Sequence, residues 1–153
     1  MSKKIVCMIR GGESGRAVQD CAIDLVKGIG GELTFLHVID VSILSLENEQ
    51  LEAPAREELT WLGRVTINLA TERAQAAGVH ARGEIRYGPL RDVIRTYVKN
   101  NPMDQLLLGA TIPTEPDYEE RLAGLKEFAH QLQAEIGILV DVIEVCPAKD
   151  DAS

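Results

Sequence analysis

The stretch that decides the fold is KKIVCMIRGGESGRAVQDCAIDLVKGIGGELTFLHVID, residues 3–40. It opens with a short, uninterrupted apolar run over 4–9, which is typical of a strand covered on both faces of a sheet. Apolar residues then recur at helical spacing across 12–31, where a glycine pair ends the helix. A second run, rich in β-branched and apolar residues, covers 32–41. A strand, a helix and a strand in this order predict a βαβ unit with two parallel strands.

The rest of the chain repeats this alternation of apolar runs and helical spacing. The pattern predicts helices over 55–77, 89–102 and around 122–132, and further strands over 80–88, 104–110 and 137–145. The run over 80–88 alternates between charged and apolar residues, which is typical of a half-exposed strand near a sheet edge. We therefore predict an α/β fold: a three-layer sandwich in which an open, Rossmann-like parallel sheet of five strands carries helices on both faces.

Two helices carry apolar stripes that identify the face each is expected to bury. In the helix after the first strand, the stripe consists of Val18, Cys21, Ala22, Leu25, Val26 and Ile29. In the long helix over 55–77, it consists of Leu59, Leu62, Val65, Leu69 and either Arg73 or Ala76. Gly78 ends this long helix in the position that glycine favours. We expect both stripes to pack against the sheet.

The composition limits the kinds of partner. The chain has 153 residues, enough for one domain with its own core, and 24 acidic against 16 basic residues give a net charge of −8. A surface this negative repels phosphate backbones and anionic lipids, so we predict that the protein binds neither nucleic acid nor membrane. No apolar stretch of the sequence approaches the ~20 residues of a membrane span.

The cysteines and histidines predict no redox or metal chemistry. Cys7, Cys21 and Cys146 form an odd set without CxxC spacing, which is typical of reduced thiols in a cytoplasmic protein. The start of the chain lacks the long apolar segment of a secretory signal, which agrees with that location. The three histidines are widely spaced and none is paired with a cysteine, so we expect no metal site and no cofactor.

The glycines after the first strand raise the question of a phosphate loop. A dinucleotide fingerprint, G-x-G-x-x-G, would place its last two glycines on Gly12 and Gly15 but its first on Arg10. A P-loop would need Gly-Lys-Ser/Thr at its end, whereas Arg16 and Ala17 follow Gly15. The first motif is therefore matched only in part, and the second is absent.

The carboxyl ends of neighbouring parallel strands offer the expected ligand crevice. In open α/β sheets, ligands bind beyond these ends, where the direction of winding reverses. If the first and fourth strands are neighbours, the loops that follow them line one crevice. The residues expected there are Ile9, Arg10, Gly11, Gly12, Val38, Gly109, Ala110 and Thr111. The acids Glu115, Asp117, Glu119 and Glu120 crowd the second loop and would repel a triphosphate.

No catalytic constellation emerges from the spacing. Ser14 lies in G-E-S-G, without the G-x-S-x-G arrangement of a nucleophile elbow. No histidine is paired with a nucleophile in the sequence. His37 falls inside an apolar strand, which favours a hydrogen-bonded structural histidine over a catalytic base. We expect a protein without enzymatic activity.

Three stretches resemble the universal stress protein family and together extend over about residues 3–145. The stretch over 3–40 resembles the family's opening strand, short loop, helix and strand ending in His-Val-x-Asp. GPLRDVIRTYVKNNPMDQLLLGA (88–110) resembles the family's glycine-led helix, followed by an aspartate and an apolar strand ending in glycine. AEIGILVDVIEV (134–145) resembles its closing strand.

The resemblance implies a strand order of 3-2-1-4-5 and one family-like domain over 1–145, followed by a C-terminal tail over 146–153 that we expect to be mobile. Members of the family usually form homodimers, often through the last strand. An exposed strand of alternating apolar residues is an edge that pairing would cover. The interface residues expected on this basis are Val140, Val142 and Ile143.

This chain departs from the nucleotide site that the resemblance implies. ATP-binding members carry an aspartate after the first strand, and Arg10 occupies that position here. They also carry G-x2-G-x9-G-[ST] after the fourth strand. Gly109 matches the first glycine, but Ile112 occupies the second position and Leu122-Ala123 the last pair, with Gly124 displaced by two residues. We therefore predict a dimeric stress protein that acts by association with an unidentified protein partner and does not bind ATP in the usual manner of the family.

Arg10 leaves two interpretations open. Together with the amides of Gly11 and Gly12 and the start of the first helix, its guanidinium could bind a small anion, which would make the protein a small-molecule sensor. Alternatively, Arg10 forms a structural ion pair with Glu13, Asp104 or the acids over 115–120.

Overall fold

The computed structural model describes residues 3–9, 12–41, 49–110 and 116–144. Strands are β1 (Lys4–Met8), β2 (Glu32–Ile39), β3 (His80–Tyr87), β4 (Gln105–Gly109) and β5 (Leu139–Ile143). Helices are α1 (Gly12–Ile29), α2 (Glu52–Ala76), α3 (Leu90–Asn100) and α4 (Tyr118–Ile136), and a 3₁₀ turn at Glu49–Leu51 precedes α2. The whole of the predicted tail over 146–153, together with Val145, lies outside the described residues.

The five strands form one parallel sheet in the order β3-β2-β1-β4-β5, which confirms the predicted fold class. The central strand β1 aligns Cys7 with Phe35 of β2 and Leu107 of β4. The strand order runs one way from β1 to β3 and the opposite way from β4 to β5, so the winding reverses between β1 and β4. In such sheets, ligands bind beyond the carboxyl ends of the two strands at this point.

The sheet separates two apolar cores. On one face, α1 and α2 cover Ile5, Cys7, Leu33, Phe35 and Leu107. On the other, α3 and α4 cover Val6, Leu36, Leu106, Leu108 and Val140. Alternate residues of β1, β2 and β4 therefore enter opposite cores, as the period of two in a strand requires. At the end of the sheet, β3 is half-exposed as predicted, with Arg82 and Arg86 both pairing with Glu84.

The prediction for the buried face of α2 is wrong. The residues that α2 buries are Gly63, Ile67, Ala70 and Ala74. Of the predicted stripe, Leu62, Val65 and Leu69 are exposed. At Gly63 the helix lies too close to the sheet for a side chain, because a Cβ added there would stand only 2.6 Å from Cδ2 of His37. Apart from Ile67, which packs over Gly83 of β3, the inward-facing residues are therefore small, and Leu62 and Leu69 face solvent.

The α1 stripe is partly confirmed. Val18, Ala22 and Val26 are buried, whereas Leu25 and Ile29 on one side of the helix are exposed, as is Cys21. The start of α2 also differs from the sequence prediction. Helix α2 begins at Glu52, three residues earlier than predicted. Pro54 lies in its first turn, where amides have no intrahelical partner, so this proline does not interrupt the helix.

No helix in the described part of the chain is long and apolar enough to cross a bilayer.

Candidate functional site

A small cavity lies at the carboxyl ends of β1 and β4, where α3 and α4 meet. Its volume is about 250 Å³. The sheet contributes Met8 and Gly109, α3 contributes Arg91, and α4 contributes Arg121, Gly124 and Phe128. The cavity is smaller than the roughly 300–1,000 Å³ of most small-molecule sites.

Two arginines border this cavity, and their surroundings differ. The Arg121 guanidinium donates a hydrogen bond to the Asp117 carboxylate at 2.7 Å, so part of the positive charge of Arg121 is already balanced. The Arg91 guanidinium carbon lies 5.1 Å from the ring centroid of Phe128, within the range of a cation–π contact. Arg91 has no ion-pair partner within the described residues. Glu120 also lines the cavity, so its rim carries both signs of charge.

Gly109, which matches the first glycine of the family's ATP motif, has a packing role on the other side of its strand. A Cβ at this position would lie 2.7 Å from Cγ2 of Val18 in α1. Val18 is almost fully buried and β-branched, so it has little freedom to move. The close approach of α1 to β4 is therefore enough to account for glycine here.

Gly124 lies inside a helix and not at its start. Helix α4 begins at Tyr118, and the Arg121 amide bonds the Asp117 carbonyl at 2.9 Å. Only the first four amides of a helix lack an internal partner, and Gly124 is beyond them. In addition, Glu119 and Glu120 occupy the first turn, where they balance the positive end of the helix dipole. The start of α4 therefore provides no glycine amide for a phosphate and carries two carboxylates that repel one.

The structure brings only some of the predicted crevice residues to this cavity. Gly109 lines it. Ile9 and Ala110 are buried. The Ile9 amide donates a hydrogen bond to the Leu36 carbonyl, and the Ala110 amide donates one to the Ile143 carbonyl, each at 2.9 Å. Val38 packs against the core under α3 and α4. Gly12 is the first residue of α1. Arg10, Gly11 and Thr111 lie outside the described residues.

Asp104, one suggested partner of Arg10, lies at the amino end of the sheet. Asp104 precedes β4, and its carboxylate accepts a hydrogen bond from the Lys4 amide at 2.7 Å, so it lies at the amino end of the sheet. Ile9, the neighbour of Arg10, follows β1 at the carboxyl end of the sheet, five residues after Lys4. That separation is about 17 Å. Asp104 and Ile9 therefore lie at opposite ends of the sheet. Arg10 is outside the described residues, and its suggested ion pairs stay predictions.

His37 has a structural environment. Its Nδ1 lies 3.2 Å from the carbonyl oxygen of Ile9, so Nδ1 carries the proton and donates it to that carbonyl. Its ring packs against Gly63 of α2. Burial lowers the pKa of His37 below its ordinary range, with the bond to Ile9 acting in the opposite direction. The imidazole is thus a neutral link between β1, β2 and α2, in agreement with the structural interpretation.

Neither Arg91 nor Arg121 is among the crevice residues predicted from the sequence. Arg91 follows the first residue of α3, and α3 begins three residues after β3 ends. Because a helix that follows a parallel strand starts at the carboxyl end of the sheet, a charged residue in its first turn is a candidate for the crevice. Arg91 meets this condition, so the sequence alone could have predicted it as a crevice residue. Among the described residues, no group of histidine, cysteine and carboxylate side chains is suited to hold a metal ion.

The fold and the position of the cavity define a class: single-domain, open-sheet α/β proteins with a crevice at the carboxyl ends of β1 and β4. Within that class, the model of the universal stress protein family matches residues 1–118. The chain therefore belongs to the universal stress protein family. The match ends at the first residue of α4, the helix whose start departs from the ATP motif.

Solved structures of the family share this fold. Universal stress protein UspA from Lactobacillus plantarum is 21% identical, with 94% of this chain and 97% of that chain covered and a TM-score of 0.64. A family protein from Burkholderia pseudomallei is 15% identical, with 92% and 95% covered and a TM-score of 0.66. One from Arabidopsis thaliana, solved with AMP bound, is 13% identical, with 99% and 97% covered and a TM-score of 0.65. No curated protein sequence matches the chain.

Proposed function

We propose that this universal stress protein is a non-enzymatic homodimer that acts by association with another protein and does not bind ATP in the usual manner of its family. The observation that carries the proposal is the start of α4. Gly124 is enclosed in the helix, and Glu119 and Glu120 fill the first turn where phosphates would need free amides and positive charge. The small volume of the neighbouring cavity supports the same conclusion.

The two edges of the sheet support dimer formation through β5. The β3 edge carries Arg82, Glu84 and Arg86, and charged edges of this kind discourage pairing. The β5 strand reads LVDVI, and its Leu139 is 49% exposed. Val140, one of the predicted interface residues, is buried beneath the chain's own helices. Its amide donates to Oε1 of Gln133 at 2.9 Å, so Val140 offers a partner strand neither apolar surface nor a free amide, whereas Leu139 contributes exposed apolar surface.

A second candidate function is the binding of a small anion in the cavity. Arg91 favours it, because this guanidinium faces the cavity without a described carboxylate partner and could bind a carboxylate or phosphate bidentately. The bound AMP of the Arabidopsis thaliana relative shows that one member of this fold holds a nucleotide, and a nucleotide fragment is one such anion.

Calorimetric titration of the purified protein with Mg·ATP, AMP and inorganic phosphate tests both candidates. The proposal predicts no saturable binding of ATP or AMP in the micromolar range. Saturable micromolar ATP binding would overturn it. Phosphate binding that is lost in Arg91→Gln but kept in Arg95→Gln, a matched arginine on α3 that pairs with Glu135, would support the anion candidate. If phosphate binds neither the wild type nor a variant, the anion candidate is wrong.

A further inference from the structure

We propose that the outer face of α2, which we define as Trp61, Leu62, Val65 and Leu69, binds an amphipathic helix with basic ends from a partner protein. The four side chains are 65%, 52%, 36% and 55% exposed. They fall within about two helical turns and on one side of α2. A cluster of this kind marks an interaction surface more often than isolated exposed residues do. The inference rests on the proposed function, since it names the surface through which association occurs.

The exposure of this face is fixed by the packing on the opposite side of α2. Gly63 lies against the ring of His37, and Ile67 lies against Gly83 of β3. At the side of α2, the Arg73 guanidinium pairs with Asp20 of α1 at 2.9 Å. Turning the helix to bury Val65 would break all three contacts. The outer α2 face therefore stays available when the domain is folded.

Carboxylates mark both ends of the outer α2 face. Glu58 and Glu72 each lie seven residues from Val65, which is nearly two full turns, so they point in almost the same direction as Val65. Each stands about 10 Å along the helix from the centre. Neither forms an ion pair with any described residue. Arg64 is the cation at the flank of this face, and Arg73 is already paired with Asp20.

These carboxylates make a second copy of the chain an unsuitable occupant. In an antiparallel pair of α2 helices centred on Val65, Glu58 of one copy would face Glu72 of the other. In a parallel pair, each glutamate would face its own counterpart. Both arrangements place like charges together at both ends of the contact, and like charges across an interface are unfavourable. A partner with cations at these positions has the opposite, complementary pattern.

The spacing defines the chemistry of the partner. Trp61, Val65 and Leu69 repeat every four residues, and Leu62 widens the row, which suits the apolar stripe of another helix. The two glutamates are about 21 Å apart along α2. A helical partner would therefore carry apolar residues every three to four positions and a lysine or arginine near each end, about 14 residues apart. The net charge of −8 favours such a basic partner at long range.

Trp61 provides a direct test, because it is the only tryptophan in the chain. The probe is a synthetic helix-forming peptide with leucines every three to four residues and a lysine near each end. Its control is the same peptide with glutamates in place of the lysines. We expect the lysine peptide to shift Trp61 emission to shorter wavelength with saturation, and to bind at least tenfold more tightly than the glutamate peptide at low salt.

Variants of the full chain locate the binding. Leu69→Lys is expected to weaken binding of the lysine peptide at least tenfold, and Glu58→Gln and Glu72→Gln by several-fold each. Leu25→Lys, at an exposed leucine on α1, serves as the control and should bind the peptide like the wild type.

Three results would overturn the proposal. The first is no emission shift with either peptide, or equal binding of both. The second is an emission maximum that shifts with protein concentration alone, together with dissociation of oligomers in Leu69→Lys, which would assign the face to a second copy. The third is a shift with phosphatidylcholine vesicles in place of the peptide, which would assign it to lipid. None of these outcomes depends on nucleotide binding. Failure of the proposed function would appear instead as saturable ATP binding in the calorimetric titration, so the two failures are distinguishable.

Discussion

At the scale of single residues, His37 joins three elements through one neutral ring. It donates to the carbonyl of Ile9 and packs against Gly63 of α2, and burial keeps its pKa below the ordinary value of 6.5. The unfolded chain therefore binds more protons than the folded chain when the pH lies between the lowered pKa and 6.5. The resulting stability is present above pH 6.5 and is lost as the pH falls through the folded-state pKa.

We therefore expect the free energy of unfolding to decrease between pH 7 and pH 5, with a smaller decrease in His37→Gln. Glutamine can donate to the same carbonyl but does not titrate. Urea denaturation at a series of pH values measures the effect, and His130→Gln, at an exposed position, is the control. An equal pH dependence in wild type and His37→Gln would show that another group is responsible.

At the scale of elements, the contact between α1 and β4 explains Gly109 by packing. Gly109→Ala places a methyl group 2.7 Å from Cγ2 of Val18, so we expect a loss of about 1–3 kcal/mol of stability. Adding Val18→Ala should recover part of this loss, since it removes the clashing methyl groups. Denaturation of both single variants and the double variant measures the coupling free energy.

Gly124→Ala is the matched control for this cycle. Its Cβ would have only an ordinary contact, 3.5 Å from the Arg91 side chain, and alanine is favoured inside a helix by up to about 1 kcal/mol. We expect this variant to be as stable as the wild type or more so. If the losses from Gly109→Ala and Val18→Ala are simply additive, packing against Val18 does not explain the glycine.

Helix α2 also shows how much of the fold the sequence predicts. The order of strands and helices follows from periodicity and the family resemblance, because large apolar residues mark buried strands and most helical stripes. The buried face of α2 could not be predicted in this way. On its inner side, Gly63 fits against His37 and Ile67 fits against Gly83 of β3, and that fit depends on neighbours far away in the chain. A hydrophobicity count assigns the larger leucines to the core instead.

The candidate site was predictable to a similar degree. The carboxyl ends of β1 and β4 follow from topology, and Gly109 from the motif. The role of Arg121 depends on α4 beginning at Tyr118, four residues before position 122, where the sequence predicts this helix to begin. Helix boundaries are set by capping and tertiary contacts, which periodicity does not describe.

At the scale of the whole molecule, the two proposed surfaces are separate and can be tested against each other. Leu139 lies on β5 at one edge of the sheet, and Leu69 lies on α2, which covers β2 and β3. We expect Leu139→Lys to convert the dimer to monomers in sedimentation equilibrium and Leu69→Lys to leave it intact. The reverse result would place the dimer contact on the outer α2 face and would contradict both assignments.

The most direct test of the central claim is native mass spectrometry of the protein purified without added nucleotide and then incubated with Mg·ATP. The account predicts a species of twice 16.7 kDa whose mass does not increase with ATP. A dimer that carries one adenine nucleotide per chain, either from purification or after incubation, would contradict it.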